Sequence, residues 1–172
     1  MMHKLTQRLA GFSDKAAAYA LQILFEPIFD RFKSCALSSA GLVIKAGGSA
    51  LVKTGSAITH YVANGIKGRI AASTDMPALI GTVTNAKFNV FIFTVDSGGT
   101  VRVQMGTEGG AEAQVKWPEL DQKRAIVGMI VVNPTGTGNF VGGTTALDDA
   151  TVVPNVQYIS PIGMFDPTTR IN

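Results

Sequence analysis

The sequence predicts an α+β fold, with an N-terminal helical segment followed by a mostly antiparallel β domain of the sandwich or barrel-like kind. The first 35 residues place apolar side chains at helical spacing, whereas the chain from residue 36 alternates short apolar runs with glycine-containing turns. With 46% hydrophobic and 16% charged residues, the chain is too apolar to be disordered and low in charge for an isolated soluble monomer. We therefore expect a helical oligomerisation or docking segment over 1–35, a β-rich domain over 36–166 and a short tail over 167–172.

The N-terminal segment carries one apolar stripe whose members are spaced alternately four and three residues apart. This spacing is typical of helices that pack against one another. Three interpretations remain open, namely a helix packed on its own domain, a helix packed against copies of itself, and a helix lying on a membrane surface. The second interpretation defines the predicted oligomerisation residues, which are Leu5, Leu9, Phe12, Ala16, Tyr19 and Ile23.

Two apolar runs predict buried strands in the middle of the β region. Lys87 to Val95 has apolar residues on both faces, as a central strand does, and Ala125 to Val132 is a second run of this kind. Gly128 within the second run indicates a close approach or a bulge. Val101, Val103 and Met105 alternate with polar residues, which predicts a strand with one face in water.

Further strands are expected on either side of this pair. Residues 42–45, 50–52, 58–62 and 66–71 form short apolar runs, and Asn64-Gly65 predicts a tight hairpin turn between the last two. Residues 133–149 predict a long ordered loop pinned by Phe140 and Leu147, and 152–159 a returning strand.

Charge and cysteine content exclude several classes of protein. The net charge is +3 with no cluster of Lys or Arg, so we expect no nucleic-acid partner. The apolar run from Ala16 to Phe25 is shorter than the ~20 residues that span a bilayer, so we expect no membrane partner. Cys35 is the only cysteine and cannot form an intramolecular disulfide, and we interpret it as a small buried apolar residue.

The Asp96-Ser97-Gly98-Gly99 sequence after a hydrophobic strand has two interpretations. It is similar to the active-site loop of aspartic proteases, in which two carboxylates share one proton, and a homodimer can supply that pair. It is also a typical hairpin turn, which we favour, because Asp begins such turns through its side chain and glycine adopts positive φ. On the turn interpretation, Asp96→Asn leaves stability nearly unchanged.

The remaining candidates for chemistry have simpler structural interpretations. Gly136 to Gly142 follows a buried strand but lacks the spacing of a phosphate-binding loop. Asp148-Asp149 can bind a cation weakly, but turn capping is the simpler role. His3 and His60 have no metal-ligand spacing, and we expect His60 to be a half-exposed strand residue. Trp117 is interpreted as a packing anchor, with an interface role as the alternative. No nucleophile pairs with a base, so we expect no enzyme activity, no cofactor and no metal.

Four stretches of the β region resemble virion structural proteins of tailed bacteriophages, of the capsid decoration (cement) or head-fibre type. They are 41–55, 95–101, 130–148 and 153–156, and the run NPTGTGNFVGGTTALD within the third is the most specific. The resemblance implies a structural protein of the virion, made in the host cytoplasm. It also implies a homotrimer that docks on the major capsid protein or another virion protein. The alternatives are a virion-borne fibre, a receptor- or glycan-binding module, or a neck or tail component, and the single Trp and three Tyr favour the structural role.

Overall fold

The computed structural model describes residues 32–163 together with Tyr19, Leu21 and Ile23. The described residues contain eleven strands and a 3-10 turn at Glu112–Gln114. The strands are Cys35–Ala36 (β1), Val43–Ile44 (β2), Val52–Lys53 (β3), Thr59–Ala63 (β4), Ile66–Ile70 (β5), Thr82–Val83 (β6), Asn89–Val95 (β7), Val101–Met105 (β8), Ala125–Val132 (β9), Phe140–Val141 (β10) and Gln157–Ile159 (β11).

The predicted α+β class is wrong, because the described residues form a β-rich fold with no helix of seven or more residues. Beyond residue 35 the apolar residues either alternate with polar ones or cover both faces of a strand. Glycine-containing turns keep each of these runs too short for an amphipathic helix. The predicted helix over 1–35 lies mainly outside the described residues. The domain limits at 35 and 166 remain a prediction.

A four-stranded antiparallel sheet with the order β11-β9-β7-β8 forms the centre of the fold. Every residue of β7 is buried, which confirms the predicted central strand. Phe93 pairs with Gly128 while Thr94 pairs with Ile126, so Val127 is an extra residue that makes a β-bulge in β9. A Cβ on Gly128 would approach the Leu42 side chain to 2.3 Å, so both features predicted for this glycine, close approach and a bulge, are present.

A three-stranded antiparallel sheet with the order β1-β4-β5 packs over this centre. Asn64 and Gly65 join β4 to β5 with φ of 50° and 79°, the positive values that a type I′ hairpin turn requires. Gly68 of β5 lies against the Tyr61 ring, where a Cβ would come within 2.3 Å of a ring carbon. The predicted hairpin is therefore confirmed, and a glycine on β5 makes room for the aromatic ring on β4.

The core lies on both faces of the four-stranded sheet. The main cluster joins Phe91 and Phe93 of β7 to Tyr61 of β4, so it fills the space between the two sheets. A smaller cluster on the opposite face of β7 contains Val90 and Ile92, with Trp117 packed against it. Since both faces are covered, the apolar residues of β7 are fully removed from water, each contributing roughly 1.5–3 kcal/mol.

Residues 133–149 form an ordered loop that contains β10, which pairs with β6. Phe140 is buried and packs edge-on against Phe91 with 5.9 Å between ring centroids, and Leu147 is buried as well. The Leu147 backbone N–H donates to the Ser49 carbonyl at 2.9 Å. The two predicted anchors of this loop are confirmed, and the loop contacts the segment around Ser49 through Leu147.

Candidate assembly surface

The outer face of the β1-β4-β5 sheet is exposed. Along β4, Thr59, Tyr61 and Ala63 are buried, whereas the alternate residues His60 and Val62 are partly exposed. This alternation is that of a sheet with one face on the core and one face toward solvent.

Aliphatic side chains cover much of this outer face. An antiparallel bridge between Ala36 and Gly163 extends the sheet beyond β1 and places Ile162 opposite Leu37. Leu37 is 47% exposed and Ile162 is 62% exposed. Ile58 lies close by, because its carbonyl accepts a hydrogen bond from Ser38, and it is 45% exposed. We call Leu37, Ile58 and Ile162 the aliphatic patch.

Cations border the aliphatic patch. The β4–β5 register places Lys67 opposite Val62 and Arg69 opposite His60, and both cations are exposed. Lys45, elsewhere in this part of the chain, pairs with Asp75, so Lys67 and Arg69 are the cations that define the border. The surface is therefore suited to an apolar partner with negative charge at its rim.

A groove open to solvent lies beside the aliphatic patch, between residues 39–43 and 53–57, with a volume of about 530 Å³. Backbone hydrogen bonds hold its walls together, since Gly55 N donates to the Ala40 carbonyl and Ser73 N to the Gly55 carbonyl, at 2.9 and 2.8 Å. Its lining consists mainly of small side chains, which include Ser39, Gly41, Val43, Gly55 and Ser56. Ser39, Lys53, Thr54, Ser56 and Ser73 are the polar residues of this lining.

A second exposed apolar site lies on the β6–β10 ribbon. Ile80 is 73% exposed and Val141, which pairs with Thr82, is 40% exposed. Gly142 N donates to the Gly81 carbonyl at 2.8 Å, so the ribbon continues past the paired residues toward Ile80. We call Ile80 and Val141 the ribbon patch.

Asp96 forms the turn between β7 and β8. One carboxylate oxygen accepts hydrogen bonds from Gly98 N and Thr100 N, at 3.0 and 2.9 Å. Gly99 has a φ of 85°. These contacts define the hairpin turn between β7 and β8, as the favoured interpretation predicts.

Arg124 adds a feature that the sequence analysis missed. Its side chain is 7% exposed, and its guanidinium contacts the other Asp96 oxygen at 2.8 Å. It also donates to the Thr94 and Thr100 carbonyls, at 3.1 and 2.6 Å. The backbone N–H of Thr100 lowers the pKa of Asp96 most, and Arg124 lowers it further, while partial burial opposes both. Asp96→Asn removes the negative partner of a buried cation, so the expectation of a nearly silent substitution no longer holds.

The glycine loop and the acidic pair are occupied by internal hydrogen bonds. Gly136 N and Thr137 N donate to the carbonyls of Val152 and Thr151, so these amides do not form a phosphate cradle. Both oxygens of Asp148 accept from Gly48 N, and Asp149 accepts from Thr151 N. The hydrogen bond from Thr151 also lowers the pKa of Asp149. Turn capping is therefore the role that the structure assigns to both carboxylates.

The remaining candidates have structural roles. His60 is partly exposed in β4, as predicted. Cys35 is buried, and burial raises the pKa of its thiol, which disfavours the reactive thiolate. Trp117 packs on the smaller core cluster, in agreement with a packing anchor. Within residues 32–163 and the three described positions before them, no three His, Cys, Asp or Glu side chains are grouped to bind a metal ion.

The predicted oligomerisation stripe is only partly described. Leu5, Leu9, Phe12 and Ala16 lie outside the described residues, whereas Tyr19 and Ile23 are described and are 66% and 54% exposed. The stripe therefore remains a prediction. Among the described residues, no helix is long and apolar enough to cross a membrane.

The aliphatic patch has weak signals in the sequence. The pairing of β1 with β4 brings Leu37 and Ile58 together, and the bridge at Gly163 adds Ile162, so no local sequence pattern links the three residues. Comparison with family models, with curated proteins and with solved structures found no match.

Proposed function

We propose that this chain is a structural protein of a tailed-bacteriophage virion, which self-associates as a trimer and docks on the capsid to decorate or stabilise it. The class of virion protein rests on the resemblance of the four stretches described above. The main observation in favour of a role in assembly is the aliphatic patch. An exposed apolar sheet face with a cationic border is typical of a surface that another protein covers. On this proposal the chain is not an enzyme, and its partners are other copies of itself and the major capsid protein or another virion protein.

Internal contacts of the described residues support a structural role. The groups that suggested chemistry, Asp96, Asp148 and the amides near Gly136, each bind to the chain itself. They fix turns and loops around the core, as a rigid building block requires. The aliphatic and ribbon patches, by contrast, have exposed side chains available for contacts with other molecules.

The experiment tests self-association through the N-terminal stripe. Leu9→Asp combined with Phe12→Asp puts two carboxylates into the predicted interface, where burying each apolar side chain contributes roughly 1.5–3 kcal/mol per chain. Light scattering at micromolar concentration should show an oligomer for the wild type and a smaller species for the double variant. Gln7→Asp with Ala10→Asp, which adds the same charge at heptad positions that face away from the stripe, is the matched control and should leave the oligomer largely intact.

A monomeric wild type in this measurement would contradict self-association in solution.

The place in the virion follows from the number of copies on purified particles. Hundreds of copies support decoration of the capsid, whereas tens indicate a fibre or vertex protein, and fewer still a neck or tail component.

A further inference from the structure

We propose that the open edge of β8 pairs with β8 of a second copy, so that the four-stranded sheets of the two copies join into one continuous sheet. The pairing is antiparallel, and its two-fold axis passes beside Val103. This inference rests on the proposed self-association and adds a two-fold contact that the N-terminal stripe does not make.

β8 is the last strand of the central sheet, and one side of its backbone is unpaired. Gly106 N, directly after β8, donates to the Val90 carbonyl at 2.8 Å, and this bond fixes which residues of the β7–β8 pair are hydrogen-bonded to each other. By the alternation of an antiparallel pair, the N–H and C=O groups of Val101, Val103 and Met105 point away from β7. Among the residues that the structure describes, none of these groups has a hydrogen-bond partner.

β5 also ends a sheet, but its edge opposes pairing. The same alternation, which begins at the Asn64-Gly65 turn, directs the backbone groups of Lys67 and Arg69 outward. Two β5 strands paired through these groups would place a cation opposite a cation, which is a common protection of open edges. β8 contains no Lys or Pro, and its pairing with β7 has no bulge, so this edge lacks such protection.

β11, at the opposite end of the central sheet, has a neighbour from its own chain. Leu42 N donates to the Ser160 hydroxyl, directly after β11, at 3.1 Å. The Leu42 side chain reaches Gly128 of β9, beside the Ile159 carbonyl. Leu42 therefore lies along this edge and hinders the addition of a strand, so a head-to-tail pairing of β8 with β11 is disfavoured.

The outward groups of β8 select one register for two copies. With the axis beside Val103, Val103 pairs with its own counterpart and Val101 pairs with Met105 of the other copy, so every outward group gains a partner. Moving the axis to Arg102 leaves Met105 without a partner strand and places two arginines opposite each other. Moving it to Gln104 leaves Val101 unpaired. The axis beside Val103 thus gives the most hydrogen bonds and places Arg102 opposite the neutral Gln104.

The side chains of β8 agree with this contact. Val101, Val103 and Met105 are partly buried and pack at the margin of the main core cluster, so a second copy covers part of the apolar area that is still exposed. A two-fold contact cannot close a three-membered ring. It therefore joins copies that belong to different trimers, which suits a layer that stabilises a capsid.

Disulfide formation between marked copies tests the register. In a Cys35→Ala background, one chain carries Arg102→Cys and another carries Gln104→Cys, which the register places opposite each other with Cα atoms about 4.5 Å apart. Two copies of position 102 are about 7–8 Å apart and beyond the range of a disulfide. A mild oxidant should therefore link 102 to 104 in the mixture and leave each chain alone largely unlinked. The control mixture, Lys67→Cys with Arg69→Cys, marks the β5 edge and should link slowly. Equal rates for all pairs, or faster linking in the control, would overturn the proposal.

A proline at the axis provides a second test. Val103→Pro removes an outward N–H and keeps every hydrogen bond to β7, as proline at an edge strand permits. Sedimentation should show the two-fold contact weakened about tenfold or more. Lys67→Pro, at an outward position of β5, is the matched control and should leave the contact unchanged. An unchanged contact in a folded Val103→Pro chain, or an equal loss in the control, would contradict the proposal.

Hydrogen exchange distinguishes a second copy from a segment of the same chain as the occupant of this edge. The amides of Val101, Val103 and Met105 should be protected in the oligomer and should exchange rapidly once dilution has produced monomers. Protection that persists in the monomer would show that the chain covers its own edge, and the proposal would fail.

The outcomes also separate this edge from the N-terminal stripe. If Leu9→Asp with Phe12→Asp gives a smaller species that still forms the 102–104 link, the edge contact is supported as an independent interface. If the wild type is an oligomer in which this link does not form, the edge contact fails and self-association through the stripe stands.

Discussion

The β4–β5 and β7–β8 hairpins use the same antiparallel pairing for different purposes. The β7–β8 hairpin contains the fully buried central strand, and its turn is bound by the nearly buried Arg124. The β4–β5 hairpin has a two-residue turn at Asn64 and Gly65, and its outer face is open to solvent. The buried strand of the first hairpin stabilises the fold, whereas the second presents a sheet face. Stability and the contacts of this outer face should therefore respond to substitutions at different hairpins.

The largest difference is expected between the interior of β7 and the outer face beside β4. Phe91→Ala removes a fully buried ring that contacts Phe140, so the free energy of unfolding should fall by about 3–5 kcal/mol. Leu37→Ala removes a side chain that is 47% exposed and should change it by less than about 0.5 kcal/mol. Urea denaturation measures both. Equal losses would mean that the outer face is part of the core.

A smaller effect is expected at the turn of the β7–β8 hairpin. Arg124→Ala leaves the Thr94 and Thr100 carbonyls without one of their donors and Asp96 without its cation, so stability should fall by about 2 kcal/mol. Lys123→Ala, at the neighbouring exposed position, is the control and should be nearly neutral. A neutral Arg124→Ala would show that the turn does not depend on this cation.

The same turn predicts a dependence on pH. Because the pKa of Asp96 in the folded state lies below its ordinary value of 3.8, ionised Asp96 stabilises the protein above that pH, and the contribution is lost as the pH falls through the folded-state pKa. The wild type should therefore be more stable than Asp96→Asn at neutral pH. Thermal unfolding should show this gap narrowing below about pH 4. A gap that is constant with pH would contradict the role of the charge.

The smallest effect should be shared by both hairpins. Gly99 and Gly65 have φ of 85° and 79°, and neither would bring a Cβ into a clash. Gly99→Ala and Gly65→Ala should each cost about 1–2 kcal/mol from backbone strain alone. Gly47→Ala, where φ is not positive and the new Cβ meets only an ordinary contact, should be neutral or slightly stabilising. Chemical denaturation of the three variants gives the comparison.

The hairpins could be predicted from the sequence because local chemistry determines them. Asn64-Gly65 and Asp96 to Gly99 each favour one turn geometry, and the apolar run of β7 cannot be exposed on either face. Gly128 indicated a close approach or a bulge because a glycine inside an apolar strand lacks a side chain to pack, although the sequence did not show that Leu42 is the group that approaches it.

Contacts between distant residues could not be predicted. Arg124 lies beside Asp96 only because β9 pairs with β7, and nothing local distinguishes this arginine from a surface cation. The aliphatic patch likewise needs Ile162 to lie opposite Leu37. The predicted α+β class was wrong. It rested on the apolar stripe before residue 35, whereas the described residues form strands.

The contact between Ala36 and Gly163 has a mechanical consequence. Gly163 N donates to the Ala36 carbonyl at 2.7 Å, and the two segments run antiparallel. The chain therefore enters β1 and continues past Gly163 at the same end of this pair. Tension applied across the two segments would act on this bridge first, before it reached the buried strands β7 and β9.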